Sequence, residues 1–323
     1  MVPAASLPRN HLGRIVVSGA DRASYLQGLL TNDVVALKAG QGCYAAYLTA
    51  QGRMIADLHV YELGDVMLLT MAREVKDTVL AKFDQFIFSE DVQLGDVTET
   101  FFQLAIVGPD AARLVSTIVS GATVDALRAL PEHGNARVQF AGRPAIVARV
   151  TDTGEPGFDV FVDRAHVEAL SSAVASAGAV PMNEAAAEAI RIEAGVPRFG
   201  RDMDEETIPL EAGIESRAIS FNKGCYVGQE VIIRVRDRGH GRVARTLVGL
   251  TVEGDRVPAP GAAIRAGDRE VGYVTSSALS PALKRPIALG YVHRDFVDPG
   301  TTVTVEGATA VVTALPFVPR PAL

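Results

Sequence analysis

The sequence has few of the residues that build metal, redox or disulfide sites. Two cysteines among 323 residues are too few for a disulfide framework, and an iron–sulfur cluster usually needs four thiolates. Six histidines show no close ligand spacing, so a zinc site is not expected. They are His11, His59, His133, His166, His240 and His293. We therefore expect no bound metal.

Several longer patterns are also absent. No apolar run is long enough to span a bilayer, and the first residues lack a basic segment followed by a hydrophobic one. No G-x-G-x-x-G follows a strand and no G-x-x-x-x-G-K-[ST] occurs, which excludes the common nucleotide-binding motifs. A net charge of −7 disfavours bulk electrostatic attraction to nucleic acid. We expect a cytoplasmic protein without direct membrane contact or strong nucleic-acid binding.

The composition is typical of an ordered chain, with 48% hydrophobic and 21% charged residues. The length favours two or three domains. Strands and amphipathic helices alternate in the first part. From about Arg242 short β-rich runs follow one another between turn residues, which indicates a small antiparallel barrel or sandwich. We predict a domain boundary near residue 241, giving domains 1–240 and 241–323.

A weak internal repeat lies within the first part. The segments Ile15–Leu29 and Gln103–Ile118 each read as a strand, a glycine turn, an aspartate and a helix. Any strand-to-helix turn favours glycine and a capping aspartate, so chance and duplication explain the similarity equally well. A true repeat predicts two related α+β lobes.

The strongest motif is FNKGCYVGQEVIIRVRDRG, from Phe221 to Gly239. It resembles the K-G-C-[FY]-x-G-Q-E-x-x-x-R signature of the YgfZ-type folate-binding proteins, a branch of the glycine-cleavage T-protein superfamily. Its matching residues are Lys223, Gly224, Cys225, Tyr226, Gly228, Gln229 and Glu230. Segments such as TAQGRMIADLHVY and RIEAGVPRFGRDMDEETIPLEAG resemble the wider superfamily in the right order, so the resemblance covers nearly the whole chain.

The resemblance implies an α+β fold of two interleaved ferredoxin-like lobes plus a C-terminal antiparallel β-barrel, ring-like around a central folate cavity. It implies tetrahydrofolate or a derivative as the cofactor, and iron–sulfur client or assembly proteins as partners. The expected function is assistance in assembly or repair of iron–sulfur proteins, including tRNA-modifying enzymes.

Three side chains outside the motif segment are candidates for the cavity. In the superfamily the acid of R-x-E-x-G binds the pteridine ring, which assigns that function to Glu193, because a carboxylate can accept two parallel hydrogen bonds. The alternative is a solvated helix-end residue or a local pair with Arg191. Asn32 and Asp33, in a T-N-D segment, are candidate cavity residues or simple turn formers.

The motif segment adds charged residues and a thiol. Arg234 and Arg236 suit the folate glutamate tail, with surface salt bridges as the alternative. A cation such as Lys223 favours the thiolate form of a nearby cysteine, and the branch signature contains Cys225. The resemblance therefore implies a reactive or ligand function for Cys225, with a small buried packing residue as the alternative. Cys43, inside an apolar strand, is predicted to pack in the core.

Two departures bear on enzymatic activity. In the aminomethyltransferase branch the turn runs G-x-x-x-D-D, and the first Asp is held near folate N5. Aligning GRMIADL places Ala56 there and Asp57 at the second position, and alanine cannot transfer a proton. In T-G-Y-T-G-E, Asp152 replaces the tyrosine. These departures disfavour an aminomethyltransferase, which stays the alternative alongside a folate-dependent demethylase domain and a scaffold that binds no folate.

Overall fold

The computed structural model describes residues 4–238 and 241–318. Its strands before the barrel are β1 (Ala5–Pro8), β2 (Leu12–Ser18), β3 (Gly42–Leu48), β4 (Met54–Glu62), β5 (Met67–Ala72), β6 (Gln93–Asp96), β7 (Phe101–Val107), β8 (Asn135–Phe140), β9 (Arg143–Val150), β10 (Gly157–Asp163) and β11 (Val180–Pro181). Its α-helices are α1 (Arg22–Leu29), α2 (Arg73–Asp84), α3 (Ala111–Ile118), α4 (Val124–Ala129), α5 (Val167–Ser176), α6 (Glu184–Glu193), α7 (Glu215–Ala218) and α8 (Gln229–Ile233).

The first lobe is an antiparallel sheet of five strands in the order β3-β4-β5-β2-β6. Helices α1 and α2 cover one face of the sheet. Every second residue of the strands points to this face and packs against apolar residues of the helices. Leu26 and Phe83 are fully buried there, and Cys43 packs in the same cluster. The prediction that Cys43 is a core residue is therefore confirmed.

The second lobe is a six-stranded sheet in the order β11-β1-β7-β10-β9-β8. Because β1 pairs with β7, the chain starts in this lobe, crosses to build the first lobe, and then returns. The two sheets meet at an apolar cluster that includes Tyr61 and Phe161, whose rings lie 6.1 Å apart. The predicted interleaving of two α+β lobes is confirmed.

The two segments of the internal repeat occupy matching places, since β2 leads into α1 and β7 leads into α3. Gly19 and Gly108 both adopt positive φ at the turns, as a tight strand-to-helix connection requires. The expected aspartate caps are absent: neither Asp21 nor Asp110 accepts a capping hydrogen bond, and Asp21 instead accepts one from the Asp91 amide. The local geometry thus repeats without the predicted capping chemistry.

The C-terminal part is a closed antiparallel barrel, which confirms the barrel prediction. Its strands are β12 (Arg245–Val252), β13 (Ala263–Ala266), β14 (Arg269–Leu279), β15 (Pro286–His293), β16 (Thr302–Val305) and β17 (Ala308–Thr313). Helix α6 packs against β14 and β15, and Ile192 enters the barrel's outer apolar cluster. Across the described ranges, no helix has the length and apolar character needed to cross a membrane.

Candidate functional site

A cavity of about 540 Å³ lies where the two lobes, α6 and the segment after α6 meet. The connection between β1 and β2 forms one wall, and β4 and β5 of the first lobe form another. The turns around His133 and Asp152 close the second-lobe side. The principal polar side chains on its walls are Arg9, His11, Tyr44, Asp57, His59, His133, Asp152, Glu188, Arg191, Arg198 and Arg217.

The alternation of side chains along strand β4 determines which residue of the strand faces this cavity. Successive side chains of a strand point to opposite faces. Ala56 is fully buried in the apolar cluster beneath α1 and α2, whereas Asp57 and His59 line the cavity. An acid at position 56 would therefore point into the core. The prediction that Ala56 removes the cavity acid is wrong, because the strand supplies that acid from Asp57.

Asp57 is held by Tyr44 on the neighbouring strand. The Tyr44 hydroxyl donates to Asp57 Oδ2 at 2.7 Å. Burial raises the pKa of Asp57, while the Tyr44 hydrogen bond and the positive charge of Arg217 act in the opposite direction. The Arg217 guanidinium lies 5.5 Å from the centre of the Tyr44 ring. The site therefore contains a positioned carboxyl group whose proton is held more tightly than usual.

Asn32 supports this arrangement from outside the cavity. Its side-chain amide donates to the backbone oxygens of Tyr44 and Arg217, at 2.8 and 3.0 Å. Asp33 accepts from the Gln27 side chain at 2.9 Å. Neither residue is among those that line the cavity. As cavity residues both stay predictions, but Asn32 connects the backbones of two residues that do line the cavity.

Two histidines continue the same wall. The His59 and His133 rings lie 4.9 Å apart, and the Tyr44 ring lies 5.3 Å from His59. Burial, reinforced by His133, lowers the pKa of His59 to about 3, and burial also lowers the pKa of His133. Both imidazoles are therefore neutral near pH 7. Together with Tyr44 they offer an uncharged surface of mutually tilted rings beside Asp57.

Helix α6 contributes a charged wall. Arg191 donates to Glu188 at 3.0 and 2.5 Å, to Asp202 at 2.7 Å and to Ser276 of the barrel at 2.9 Å. Among the described residues, the guanidinium of Arg198, which follows the helix, has ion partners only at 3.9 Å, the glutamates Glu184 and Glu188 of α6. The Arg191 guanidinium is thus engaged in hydrogen bonds within the protein, whereas the Arg198 side chain is partly exposed at the cavity.

Glu193, also on α6, points toward the barrel instead. It is buried and accepts hydrogen bonds from the Ser280 hydroxyl and, at 2.9 Å, from the Ala282 amide. It is not among the residues that line the cavity. Its expected solvation or pairing with Arg191 is not observed. Pteridine binding by Glu193 stays a prediction that this position does not favour.

The motif segment is built around structural contacts. The Lys223 amine donates to the backbone oxygens of Gln27, Leu30 and Asn32 at 2.6 to 2.9 Å, which caps the end of α1. Burial lowers the pKa of Lys223 to about 8. This geometry explains a lysine at the start of the motif without reference to a ligand.

Two further motif residues are equally structural. Gly228 has φ +83°, and an added Cβ would lie 2.5 Å from the Thr49 carbonyl oxygen, so only glycine fits. The Tyr226 ring is buried, with the Lys223 amine 5.2 Å from its centre. The Gln229 side chain accepts from the Tyr226 amide at 3.3 Å. These residues fasten the segment to the β3–β4 turn.

The remaining motif residues lie on the surface. Arg234 pairs with Glu230 at 2.7 Å, and Arg236 pairs with Asp237 at 2.6 Å. Neither arginine lines the cavity, and their geometry matches the surface-salt-bridge alternative.

Cys225 and Gly224 are exposed in an irregular stretch. A reactive function for Cys225 stays a prediction. Within the described residues no three His, Cys, Asp or Glu side chains are grouped to hold a metal ion; His240 lies outside those residues.

Sequence reasoning missed the residues that define the site, namely Asp57, Tyr44, His59 and Arg198. The alternation of apolar and polar residues in MIADLHVY separates Ala56, Leu58 and Val60 from Asp57 and His59. That pattern was the available signal for Asp57. Nothing comparable marks Tyr44, because its strand reads as continuously apolar.

Comparison with known proteins agrees with the fold and corrects the predicted function. The model of the GCVT N-terminal domain matches residues 5–223, and that of the glycine cleavage T-protein C-terminal barrel domain matches residues 245–321. An aminomethyltransferase of Rubrobacter xylanophilus is 36% identical over 88% of this chain and 74% of its own length. One of Streptomyces coelicolor is 32% identical over 96% of this chain and 85% of its own.

A solved structure, the glycine cleavage system aminomethyltransferase T from Bartonella henselae, has the same fold, with a TM-score of 0.88 at 24% identity over 98% of this chain and 87% of that one. The similar sequences carry the name aminomethyltransferase. They overturn the predicted function in assembly of iron–sulfur and tRNA-modifying proteins, its YgfZ-type assignment, and the prediction that the chain is no aminomethyltransferase. The chain belongs to the glycine cleavage T-protein family.

Proposed function

We propose that this chain transfers an aminomethyl group from a lipoyl carrier protein to tetrahydrofolate bound in the cavity. The observation that carries the proposal is the Asp57 carboxyl on the cavity wall, held by Tyr44 and with a raised pKa. The names of the similar sequences agree with it.

The chemistry requires a proton carrier at this place. The aminomethyl carbon gains bonds to two folate nitrogens, each of which loses a proton. It loses its bonds to sulfur and to nitrogen, so the lipoyl thiol and ammonia leave, each with one of those protons. A carboxyl group with a raised pKa can accept and return a proton near neutral pH. Asp57 has the required position, and the neutral imidazoles of His59 and His133 beside it add no positive charge of their own.

The folate tail carries carboxylates and needs cations near the cavity. Arg198 and Arg217 line it, and within the described part of the chain Arg198 has ion partners no nearer than 3.9 Å. We assign these two arginines to the tail in place of Arg234 and Arg236, which pair with surface acids. Arginine suits this function because its planar fork binds carboxylates through two parallel hydrogen bonds.

The test is methylene-tetrahydrofolate formation from an aminomethylated lipoyl carrier protein. Asp57→Asn should lower the rate by about 10²- to 10⁴-fold, the usual contribution of a general acid–base group. Asp268→Asn, on an exposed barrel turn, is the matched control and should retain the wild-type rate. Ala56→Asp should gain no activity and should destabilise the core. An inactive wild type, or an active Asp57→Asn variant, would refute the proposal.

The domain division stays a proposal at residue 241. Support comes from the two family models, whose matches end at residue 223 and begin again at residue 245, and from the first barrel strand, which starts at Arg245. Residues 239 and 240, just before this boundary, lie outside the described part of the chain. Limited proteolysis that releases a stable barrel fragment would support it.

A further inference from the structure

Strand β14 contains a bulge that turns two neighbouring hydroxyls toward the rest of the protein. The pairing of β14 with β15 shifts register at Thr275, which makes that residue the extra one of a β-bulge. On a regular strand Thr275 and Ser276 would point to opposite faces. Here the Thr275 hydroxyl donates to Asp202 Oδ1 at 2.5 Å, and its contact with the Leu289 carbonyl oxygen is longer, at 3.2 Å. The Ser276 hydroxyl accepts from Arg191 at 2.9 Å, so two adjacent side chains attach the barrel to α6 and the segment after it.

Asp202 connects this attachment to the main chain of Arg198. The Asp202 carboxylate is buried, and its Oδ2 accepts from the Arg191 guanidinium at 2.7 Å and from the Arg198 amide at 3.1 Å. A buried carboxylate requires such donors, because an unpaired charge in the interior is strongly destabilising. The Asp202 amide also donates to the Arg198 carbonyl oxygen at 2.8 Å. Both main-chain polar groups of Arg198 are thus bonded to one residue, and that residue is fastened to the barrel.

The same segment is fixed from other sides, while the Arg198 side chain is left open. Arg191 donates to the Val196 carbonyl oxygen at 2.5 Å, just before Arg198. Phe199 and Met203 are buried in an apolar cluster with residues of β3. The Arg198 side chain lines the cavity, and in the described part of the chain its guanidinium has ion partners no nearer than 3.9 Å. The segment therefore presents an open cation on a fixed main chain.

The second arginine assigned to the folate tail has a different support. The Arg217 carbonyl oxygen accepts from the Asn32 side chain of the first lobe at 3.0 Å. None of the described barrel residues lines the cavity. The β14 bulge is therefore connected to the cavity through Asp202 and Arg198, whereas Arg217 depends on the first lobe.

We propose that Asp202 is a positioning residue: fastened to the β14 bulge, it aims Arg198 at a carboxylate of the substrate's glutamate tail. The inference rests on the proposed folate-dependent transfer and on the assignment of Arg198 to the tail. A cation that is already held in place loses less conformational freedom when the tail binds, so more of the ion-pair free energy appears as affinity. The barrel thereby contributes to the choice of substrate, although none of its described side chains lines the cavity.

Calorimetric titration with two ligands tests the inference: tetrahydrofolate, and 6-methyltetrahydropterin as the ring without a tail. Thr275→Val keeps the shape of the side chain and removes the hydroxyl that bonds Asp202. It should weaken tetrahydrofolate binding about three- to tenfold, the usual worth of a hydrogen bond, and change the affinity for the tail-free ring by less than about twofold. Thr275→Ser keeps the hydroxyl and should retain the wild-type affinity. Thr251→Val removes a hydroxyl bonded to Thr313 elsewhere in the barrel, and as the matched control it should bind both ligands as wild type does.

A double-mutant cycle separates positioning from a general loss of stability. Arg198→Met should itself weaken tetrahydrofolate binding by about 10- to 150-fold, as the loss of a charge-assisted hydrogen bond does. In that background Thr275→Val should have no further effect on the affinity, because no guanidinium is left to position. Ser276→Ala loosens the attachment through Arg191 and should give the same pattern, so the test does not depend on the folding of one variant. In turnover, Thr275→Val should raise the KM for tetrahydrofolate and leave kcat within about twofold of wild type.

The outcomes separate this inference from the proposed function. Tetrahydrofolate affinity that is unchanged in folded Thr275→Val and Ser276→Ala, or that falls equally with and without Arg198, would overturn the inference and leave the proposed function standing. An unchanged affinity in Arg198→Met would do the same. The expected binding pattern in a protein that forms no methylene-tetrahydrofolate would overturn the proposed function and support the positioning of Arg198. Wild type that does not bind tetrahydrofolate would overturn both.

Discussion

The hydrogen bond between Tyr44 and Asp57 makes a prediction about stability that does not depend on any substrate. Burial raises the pKa of Asp57 in the folded protein, and the hydrogen bond from the Tyr44 hydroxyl lowers it by a smaller amount. The stabilisation from neutral Asp57 is complete below its unfolded pKa of about 3.9 and is lost as pH rises through the higher folded value. Tyr44→Phe raises that folded value further, so its cost must grow with pH.

The size of the effect follows from the two charge states of Asp57. A hydrogen bond to the neutral carboxyl is worth about 0.5–1.5 kcal/mol, and one to the carboxylate about 1.5–3 kcal/mol. The cost of Tyr44→Phe should therefore be about 1–1.5 kcal/mol larger where Asp57 is ionised, toward pH 8, than where it is protonated, toward pH 4. His59, with its pKa lowered to about 3, does not titrate in this range.

The assay is urea unfolding between pH 4 and pH 8 for wild type, Tyr44→Phe, Asp57→Asn and the double variant. In the Asp57→Asn background the cost of Tyr44→Phe should be independent of pH, because no carboxylate is left to ionise. This comparison cancels other titrating groups near Tyr44. A cost of Tyr44→Phe that is the same at both ends of the pH range in the wild-type background would refute the reasoning.

Three further predictions concern the motif segment and the cysteines. Gly228→Ala should destabilise the fold by about 1–3 kcal/mol in urea unfolding because of its positive φ and close carbonyl contact, whereas Gly224→Ala, with nothing within 4 Å of the added Cβ, should have little effect; equal costs would contradict this. Iodoacetamide at pH 7.5 should label exposed Cys225 and spare Cys43, whose pKa burial raises to about 12, as intact mass spectrometry would reveal; rapid labelling of both would disprove it. Because burial lowers the pKa of Lys223 to about 8, wild type should gain stability relative to Lys223→Met as pH rises from about 8 to 10.4, and a constant difference would exclude that shift.

Much of the fold could be predicted from the sequence. The strand and helix predicted within Ile15–Leu29 are present as β2 and α1, and the β-rich runs after Arg242 form a closed barrel. Interleaving of the lobes came only from the family resemblance, because it depends on β1 pairing with β7, about a hundred residues away. No local pattern encodes such a pairing.

The site was less predictable because sequence proximity misled twice. Ala56 and Asp57 are neighbours in the chain but lie on opposite faces of β4, so an alignment shifted by one residue reverses the chemical conclusion. Lys223 is two residues from Cys225, yet its amine is bonded to carbonyl oxygens at the end of α1.

The sequence by itself determined the elements, their apolar faces and the glycine that the motif turn requires. Only the tertiary structure decided which polar face meets the second lobe to enclose a cavity. Burial between the lobes raises the pKa of Asp57. The charge of Arg9 in the same region lowers the pKa of Asp152. The protonation of a carboxyl group depends on the groups packed around it, and those groups come from distant parts of the chain.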